Sequence, residues 1–348
     1  MLHALYRQTV TGPRLTGRFG FNATDLGYST PVWKDPAARR DPREADHILT
    51  VFGDTFRDYV GGPGYIGSPF GLRQLNGQDF IWDSAIGGYT ARKMLPYQSK
   101  GTPSAGELPD GFTHIPCDIL QLPDGTFIMT TFAVRSWDPI TPGQSWATFH
   151  SRLWRSEDEE NWRRTEFIFP NDGRWSHFQN NSLVLLGDTI YVFGTNEGRW
   201  VNGGIHLMRV HWQELENPEA YEFWAYRNNE WQWTSDQTDP ILLPSPGQGI
   251  GEINANLVEG RVFLAFVDGA HGVTIAEAEH PAAPWTLHQG VISHQDLPCQ
   301  YAPAIHPFST AECLQILISR WDPPGVLGPD VAYETQLWEI RKAAPQVN

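Results

Sequence analysis

Short apolar segments separated by turn residues make up most of the chain, and sustained amphipathic helices are hard to find in it. Such segments, rich in β-branched and aromatic residues and bounded by Gly, Pro, Asn or Asp, are typical of strands. The stretch "EAYEFWAYRNNEWQW" also alternates more like a strand than like a helix. The pattern therefore predicts an all-β protein.

Five segments share one theme, in which a polar start leads into an apolar strand, a short turn and a second apolar strand. They are "NATDLGYSTPVW" with "ADHILTVFGDTF", "IPCDILQLPDGTFIMTTFAV", "FQNNSLVLLGDTIYVFGTNEG", "IGEINANLVEGRVFLAFVDG" and "YAPAIHPFSTAECLQILISRWD". Turns such as Asp124-Gly125 and Gly187-Asp188 suit hairpins. Because each hairpin is followed by a further strand pair, such as "FIWDSAIGG" after the first, the sequence predicts a five-bladed β-propeller.

The last unit lacks an outer strand, and the N-terminal "LHALYRQTV" can supply it. No linker divides the chain, so residues 1–348 are expected to form one propeller domain whose N-terminal strand closes the last blade. The alternatives are a pair of β-sandwiches, or six blades if region 55–115 contains another. "RSEDEENWRRT" resembles the Asp-box turn of sialidase-type propellers, which supports the fold and not a sialidase function.

The amino-acid composition excludes several classes of partner and scaffold. Hydrophobic content is 40% and charged content 19%, which is typical of a folded chain. A formal net charge of -15 argues against a nucleic-acid partner. No run approaches the roughly 18 apolar residues of a membrane helix, and the N-terminus has no signal-like run. Three cysteines are too few and too scattered for a disulfide scaffold, and no metal-binding motif is present.

Two aspartates are the candidate catalytic pair. Asp25 begins the first innermost strand and Asp54 ends the strand paired with it, so both would lie on one rim of the central channel. Paired carboxylates at a cleft carry out glycoside hydrolysis, one as acid and the other as base or nucleophile. Phe52 and Phe56 would desolvate Asp54 and raise its pKa. Each aspartate could instead cap a turn.

Polar and aromatic residues at matching places in the repeats are predicted to converge at the same channel mouth and bind sugar hydroxyls or sugar faces. They are Asp118, Asn180, Asn181, Arg199, Glu252, Asn254, Tyr301, Trp33 and Arg320. Asp118 and Glu252 could equally form buried hydrogen-bond networks. The glycine-rich loop "GGPGYIGSPFG" is expected to shape the cleft beside Asp54.

The motifs "TDLGYS" with "FGDTF", "GRWVNGGIHLMRV", "IGEIN" and "YAPAIHP" resemble those of the actinobacterial and gut-bacterial endo-D-arabinanases. This glycoside hydrolase family was first catalogued as a domain of unknown function. The resemblance implies a five-bladed propeller that cleaves α-D-arabinofuranosidic linkages in mycobacterial arabinogalactan and lipoarabinomannan. It also implies an inverting, endo-acting enzyme with Asp54 as acid and Asp25 as base.

The resemblance implies a polysaccharide partner and no required cofactor, although a structural ion in the channel is conceivable. It also implies extracellular action, so the missing signal indicates a trimmed or phage-encoded chain, or a different substrate. A non-catalytic glycan-binding propeller, such as a phage or surface adhesion module, is the alternative from another functional class. A hydrolase of another furanoside is a third, and the oligomeric state stays open.

Overall fold

The computed structural model describes residues 2–36, 41–75, 80–98, 110–137, 145–200 and 202–342. Its strands form five separate antiparallel sheets arranged as blades, here numbered I to V, and the predicted five-bladed β-propeller is confirmed. No helix in these ranges is long and apolar enough to cross a membrane. Cys117, Cys299 and Cys313 are free thiols.

The strands follow the chain from blade to blade. Blade I contains β2 (Ala23–Val32), β3 (His47–Phe56), β4 (Tyr65–Gly67), β5 (Phe70–Leu75) and β6 (Ser84–Ala85). Blade II contains β7 (His114–Gln121), β8 (Phe127–Ser136), β9 (Ala147–Ser156) and β10 (Trp162–Pro170). Blade III contains β11 (Asn180–Leu186), β12 (Thr189–Thr195), β13 (His206–His211), β14 (Glu222–Arg227) and β15 (Glu230–Thr234). Blade IV contains β16 (Ile250–Val258), β17 (Arg261–Asp268), β18 (Gly272–Ala278) and β19 (Thr286–Ile292).

Blade V joins the two ends of the chain. It contains β20 (Gln300–Ile305), β21 (Cys313–Asp322), β22 (Ala332–Lys342) and, as its outer strand, β1 (Leu2–Thr9). The junction continues beyond β1, where the Val10 N–H donates to the Thr335 carbonyl at 2.8 Å. The buried Trp82 indole of blade I donates to the Val10 carbonyl at 2.6 Å. Val10 therefore connects blade V to blade I through its backbone.

Buried side chains between adjacent blades form the core. One apolar cluster joins β7–β9 of blade II to β11–β13 of blade III, and another joins blade III to blade IV. Full burial of one large apolar side chain stabilises the fold by about 1.5–3 kcal/mol. The predicted strand pair "FIWDSAIGG" was wrong, because this segment supplies only the two-residue β6.

Side-chain bonds to backbone groups connect the innermost strands. Asp118 on β7 accepts from the Leu183 N–H of β11 at 2.8 Å and from the Ser182 hydroxyl. Ser182 in turn accepts from the Ala255 N–H of β16 at 2.8 Å. Asn254 accepts from the Ile305 N–H of β20 at 2.8 Å. These bonds link blades II to V through the middle of the channel.

We expect Ser182→Ala to destabilise the protein by about 1–3 kcal/mol, because it removes a hydroxyl donor from the buried Asp118 carboxylate. Equilibrium unfolding in urea measures the loss. Ser293→Ala is the matched control, since Ser293 bonds to Asp296 in an exposed turn, and its loss should be smaller. Equal effects of the two substitutions would contradict a structural role for the channel bonds.

Candidate active site

A cavity of about 110 Å³ lies at the channel mouth where the innermost strands begin. All five blades contribute to it. Its lining residues are Asp25, Leu26, Asp54, Ile115, Phe132, Trp137, Ser145, Trp146, Arg199, Glu252, Tyr301, Trp321 and Tyr333. The aromatic residues on this wall leave the few polar groups in surroundings of low polarity.

Backbone irregularities mark this end of the channel. The innermost strand shifts register at Thr24/Leu26 in blade I, Pro116/Asp118 in blade II, Ile250/Ile253 in blade IV and Tyr301/Ala304 in blade V. A bulge re-aims the side chains around it and interrupts the regular alternation of the strand. Asp25, Glu252 and Tyr301 all lie within or beside such shifts, which turn them toward the cavity.

The conformation after Asp25 is strained and held in place by blade V. Leu26 has a φ of +66°, which is rare for a residue with a branched side chain. Its N–H donates to Ser319 Oγ at 2.7 Å, and its carbonyl accepts from Thr335 Oγ1 at 2.7 Å. Ser319 and Thr335 are fully buried. Two hydrogen bonds from the neighbouring blade thus fix the backbone that carries Asp25.

Asp25 is held in a site that disfavours its charge. The Tyr301 hydroxyl donates to its Oδ2 at 2.9 Å, whereas Oδ1 has no hydrogen-bond partner among the described residues. Burial and, next in size, the nearby Asp54 charge raise the pKa of Asp25 to about 7. The Tyr333 and Tyr301 hydroxyls and the Arg199 guanidinium oppose this rise. The Asp25 carboxyl therefore titrates near neutral pH.

Asp54 lies on β3, the strand paired with β2, and lines the same cavity. The Tyr65 hydroxyl donates to its Oδ1 at 3.0 Å, and the Thr113 hydroxyl does so at 3.4 Å. Burial raises the pKa of Asp54 to about 6, and these two hydroxyls oppose the rise. Tyr65 comes from the glycine-rich loop, which pairs with β3 through β4 and so places a phenol beside the carboxylate.

Gly53 allows the two aspartates to approach each other. A Cβ atom at this position would overlap the Asp25 carboxylate and the Leu26 side chain. Any other residue would displace the Asp25 carboxylate or the Leu26 side chain from its present position. The glycine before Asp54 is therefore required by the pair.

Arg199 provides the cation of the cavity. Its guanidinium forms a two-pronged ion pair with Glu252, with Nε at 3.0 Å from both carboxylate oxygens. It also lies over the Tyr301 ring, 4.2 Å from the centroid, and 5.1 Å from the Trp146 centroid. These contacts fix the orientation of the guanidinium, and Glu252 raises its pKa against the effect of burial.

The backbone beside Arg199 depends on a second glycine. Trp200 has a φ of +65°, and its N–H donates to the Ile250 carbonyl at 3.2 Å. Gly249 packs directly against the Trp200 backbone, where a Cβ atom would collide with it. This close approach joins the segment after β12 to the start of β16, and so positions Arg199 opposite Glu252.

The structure brings together five of the sequence-predicted site residues, Asp25, Asp54, Arg199, Glu252 and Tyr301. Asp118 and Asn254 lie deeper, in the hydrogen bonds between blades, and not in the cavity. Asn181 donates to Ser151 and to the Phe178 carbonyl. Asn180 is buried, and its side-chain amide has no partner in the described part of the chain.

Two further predicted residues also lie outside the cavity. Arg320 forms an ion pair with Asp322 near the end of β21. Trp33 lies at the opposite channel mouth, where it lines a separate cavity of about 410 Å³. Its backbone N–H and carbonyl are both bonded to the Gln121 side chain, which joins blade I to blade II. A sugar contact by Trp33 would therefore be remote from the aspartate pair.

Tyr333, Trp146, Phe132 and Tyr65 are cavity or pair residues that the sequence reasoning missed. Tyr333 lies on a third strand and Trp146 precedes one, whereas the sequence reasoning considered mainly the first two strands of each repeat. Tyr65 follows Asp54 by only 11 residues, and this short separation is the sequence signal that could have identified Tyr65 as its partner. Within the described ranges, no group of three His, Cys, Asp or Glu residues could hold a metal ion.

A family model described as "Domain of unknown function (DUF4185)" matches residues 11–339, and the chain belongs to this family. Notoamide biosynthesis cluster protein J of an Aspergillus species is 25% identical over 330 residues, covering 90% of this chain and 84% of that protein. Protein J' of Aspergillus versicolor is 25% identical over 216 residues, covering 60% and 58%.

Solved structures share the fold. A proposed hydrolase of Bacteroides ovatus superposes with a TM-score of 0.63 at 16% identity, covering 94% of this chain and 87% of that one. A proposed exo-β-1,3-galactanase of Bifidobacterium bifidum gives 0.54 at 11% identity, covering 92% and 94%. A GH43_1 enzyme of Xanthomonas citri gives 0.51 at 11% identity, covering 93% and 88%. At these identities the likeness establishes the propeller fold.

We expect Asp25→Asn to flatten the pH dependence of stability. The folded-state pKa of about 7 exceeds the ordinary value of 3.8, so the folded state retains a proton that the unfolded state releases. This contribution to the unfolding free energy is complete below pH 4 and is lost as pH rises through 7. Urea unfolding from pH 4 to 8 should show a smaller decline for the variant than for the parent.

Asp124→Asn is the control for this measurement, because Asp124 lies in an exposed turn. It should leave the pH dependence of the unfolding free energy unchanged. If Asp25→Asn leaves the slope of the unfolding free energy against pH unchanged, the pKa of the Asp25 carboxyl is not raised in the folded protein.

Proposed function

We propose that this member of the DUF4185 family is a glycoside hydrolase whose catalytic pair is Asp25 and Asp54. The observation that carries the proposal is the pair itself: two partly buried carboxyls, with pKa values raised to about 7 and about 6, facing one aromatic-lined cavity. Between about pH 6 and about pH 7 the two groups together carry roughly one proton. One proton donor and one base facing the same cavity are what glycoside hydrolysis requires.

We assign the acid to Asp54 and the base to Asp25. When Asp54 carries the shared proton, the charge that raises the Asp25 pKa is absent. Burial still raises the pKa of Asp25, but two tyrosine hydroxyls and Arg199 oppose this rise and favour its ionised form. The choice of Asp54 as acid follows the resemblance of the two motifs, since the pKa values of about 7 and about 6 by themselves favour the proton on Asp25. In an inverting reaction, Asp25 takes a proton from a water molecule while the oxygen of that water bonds to the anomeric carbon. The glycosidic C–O bond breaks, and Asp54 protonates the departing oxygen.

The charges of the cavity select a neutral sugar. Asp25, Asp54 and Glu252 are opposed by Arg199 alone among the described lining residues. With one proton on the pair, the net charge is still negative, which repels uronates and phosphorylated sugars and stabilises positive charge developing at the anomeric carbon. Tyr301, Trp146 and Trp321 offer ring surfaces to the sugar.

The finer assignment is an endo-D-arabinanase acting on α-D-arabinofuranosidic linkages of mycobacterial-type arabinan. It rests on the sequence motifs, and these motifs contain the two aspartates, Arg199, Glu252 and Tyr301 that meet in the cavity. The solved propellers with a similar fold include the GH43_1 enzyme of Xanthomonas citri, which is compatible with this chemistry.

A second candidate is hydrolysis of a small glycoside rather than of a polymer. The observation that favours it is the cavity volume of about 110 Å³, which accommodates roughly one sugar ring. The relatives named for a notoamide biosynthesis cluster are compatible with a small-molecule substrate. Product sizes separate the two candidates, since an endo-acting enzyme releases oligosaccharides from the interior of a chain.

We expect Asp25→Asn and Asp54→Asn each to lower kcat/KM by about 10²–10⁴-fold, because each removes one partner of the acid–base pair. The substrate is mycobacterial arabinogalactan, with lipoarabinomannan, L-arabinan and aryl furanosides as the comparison panel. Product sizes are measured by chromatography. Asp124→Asn is the control, since this carboxylate lies in the β7–β8 turn, away from the cavity.

Near-parental activity of both variants would reject the catalytic pair. Retention of a glycan by the parent without release of reducing ends would indicate a binding propeller instead. Cleavage of another furanoside in place of arabinogalactan would keep the mechanism and change the substrate.

We expect the pH profile of kcat/KM to be a narrow bell with its maximum between about 6 and about 7. The singly protonated pair is the active form, and these values bound its range. Activity should fall about tenfold for each further pH unit on either side. A profile that is flat from pH 5 to 8 would contradict the shared proton.

A further inference from the structure

The hairpin formed by β14 and β15 carries four aromatic side chains on one face. The register pairs Trp224 with Trp233 and Tyr226 with Trp231, and alternate residues of a strand share a face. The Trp224 and Trp233 ring centroids are 4.7 Å apart, and those of Tyr226 and Trp231 are 5.7 Å apart. Trp224 and Trp231 lie nearly parallel, at 14° and 6.1 Å. The four rings therefore form one continuous surface, here called the blade III aromatic face.

This face is anchored on one side and open on the other. Trp224 and Trp233 pack against the apolar cluster between blades III and IV, and Arg209 lies over the Trp233 ring at 4.2 Å. Tyr226 remains 50% exposed and Trp231 40% exposed. The inner rings hold the outer ones in place, so a ligand would meet a preorganised surface.

Strand direction places the outer rings on the cavity side of the molecule. In the propeller the cavity lies where the innermost strands begin, and β14 runs parallel to β12, toward that end. The turn Asn228-Asn229, with both φ values positive, joins β14 to β15 there, next to Tyr226 and Trp231. Four strand spacings of about 4.8 Å separate β11 from β15, which is roughly 19 Å across the blade.

The chemistry of the face suits a neutral glycan better than a protein. The nearby arginines are paired within the blade, Arg227 with Asp236 and Arg209 with Glu222. The two exposed rings offer on the order of 200 Å² of surface, because a ring of this kind buries about 150–250 Å² when fully covered. A stable protein interface requires about 800 Å² per partner, so a second copy of the chain would be poorly held.

We propose that the blade III aromatic face is an accessory binding surface for a neutral polysaccharide, on which Tyr226 and Trp231 stack against sugar rings outside the cavity. The proposal rests on the proposed function for the class of ligand, a neutral glycan. It adds a second contact that holds the polymer while one residue of it occupies the cavity.

The test separates binding from hydrolysis by using the inactive Asp25→Asn/Asp54→Asn protein. Its retention is measured by native affinity electrophoresis in mycobacterial arabinogalactan, L-arabinan and a neutral galactan. Adding Tyr226→Ala and Trp231→Ala should weaken retention about tenfold, and Trp231→Phe should retain most of it. Tyr6→Ala is the matched control, because Tyr6 is 46% exposed on an outer strand of another blade and should not matter.

In the active protein, Tyr226→Ala with Trp231→Ala should raise KM for the polymer several-fold and leave kcat/KM for a small aryl furanoside unchanged. Thermal unfolding confirms that the variants fold. Ring-dependent retention without any cleavage by the parent would support the surface and reject the hydrolase. Cleavage by the parent, together with retention that does not depend on the rings, would support the hydrolase and reject the surface.

Three outcomes overturn the proposal. The first is retention unaffected by loss of both rings, and the second is an equal loss on Tyr6→Ala. The third is failure of every neutral polysaccharide to retain the inactive parent. Sedimentation of the parent and the ring variant is compared as well, since self-association that depends on the rings would assign the face to a second copy.

Discussion

In the described part of the chain no β-ladder joins two blades, so the ring depends on apolar packing and on side chains that bond to the backbone of the next blade. Asp118 joins blade II to blade III, Ser182 joins III to IV, and Asn254 joins IV to V. Ser319 and Thr335 join blade V to blade I at Leu26, and Gln121 joins blade I to blade II at Trp33. Apolar packing stabilises the contact between blades but is not directional. The hydrogen bonds have a preferred geometry, and they therefore fix how neighbouring innermost strands are aligned along the channel.

The same constraint produces the candidate site. The Leu26 backbone can keep its left-handed conformation because Ser319 and Thr335 hold both of its peptide groups. That conformation turns Asp25 toward Tyr301 and Asp54. Placing two carboxyls together in partly buried surroundings costs stability when both are ionised, and the surrounding ring of bonds offsets this cost.

The fold could be predicted because five repeats of paired apolar strands, each with its turn, allow few arrangements. Asp25 and Asp54 could be brought together for a simple reason, since the start of one strand is adjacent to the end of its antiparallel partner. Asp118 and Asn254 occupy similar places in their repeats but point into neighbouring blades. The register shift at Pro116/Asp118 reverses which face a residue takes, and sequence alternation does not reveal such a shift. Tyr333 and Trp146 reach the cavity from outside the first two strands of their blades, through packing that no local pattern records.

Because β1 pairs with β22, blade V combines a strand that precedes the other four blades with three strands that follow them. Asp25 is translated some 275 residues or more before Tyr301, Tyr333 and the hydroxyls that hold Leu26. A nascent or C-terminally truncated polypeptide contains both aspartates and yet has neither their tyrosine donors nor the clamp on the Leu26 backbone. The surroundings of the carboxyl pair are thereby complete only after blade V has been synthesised and has closed the ring.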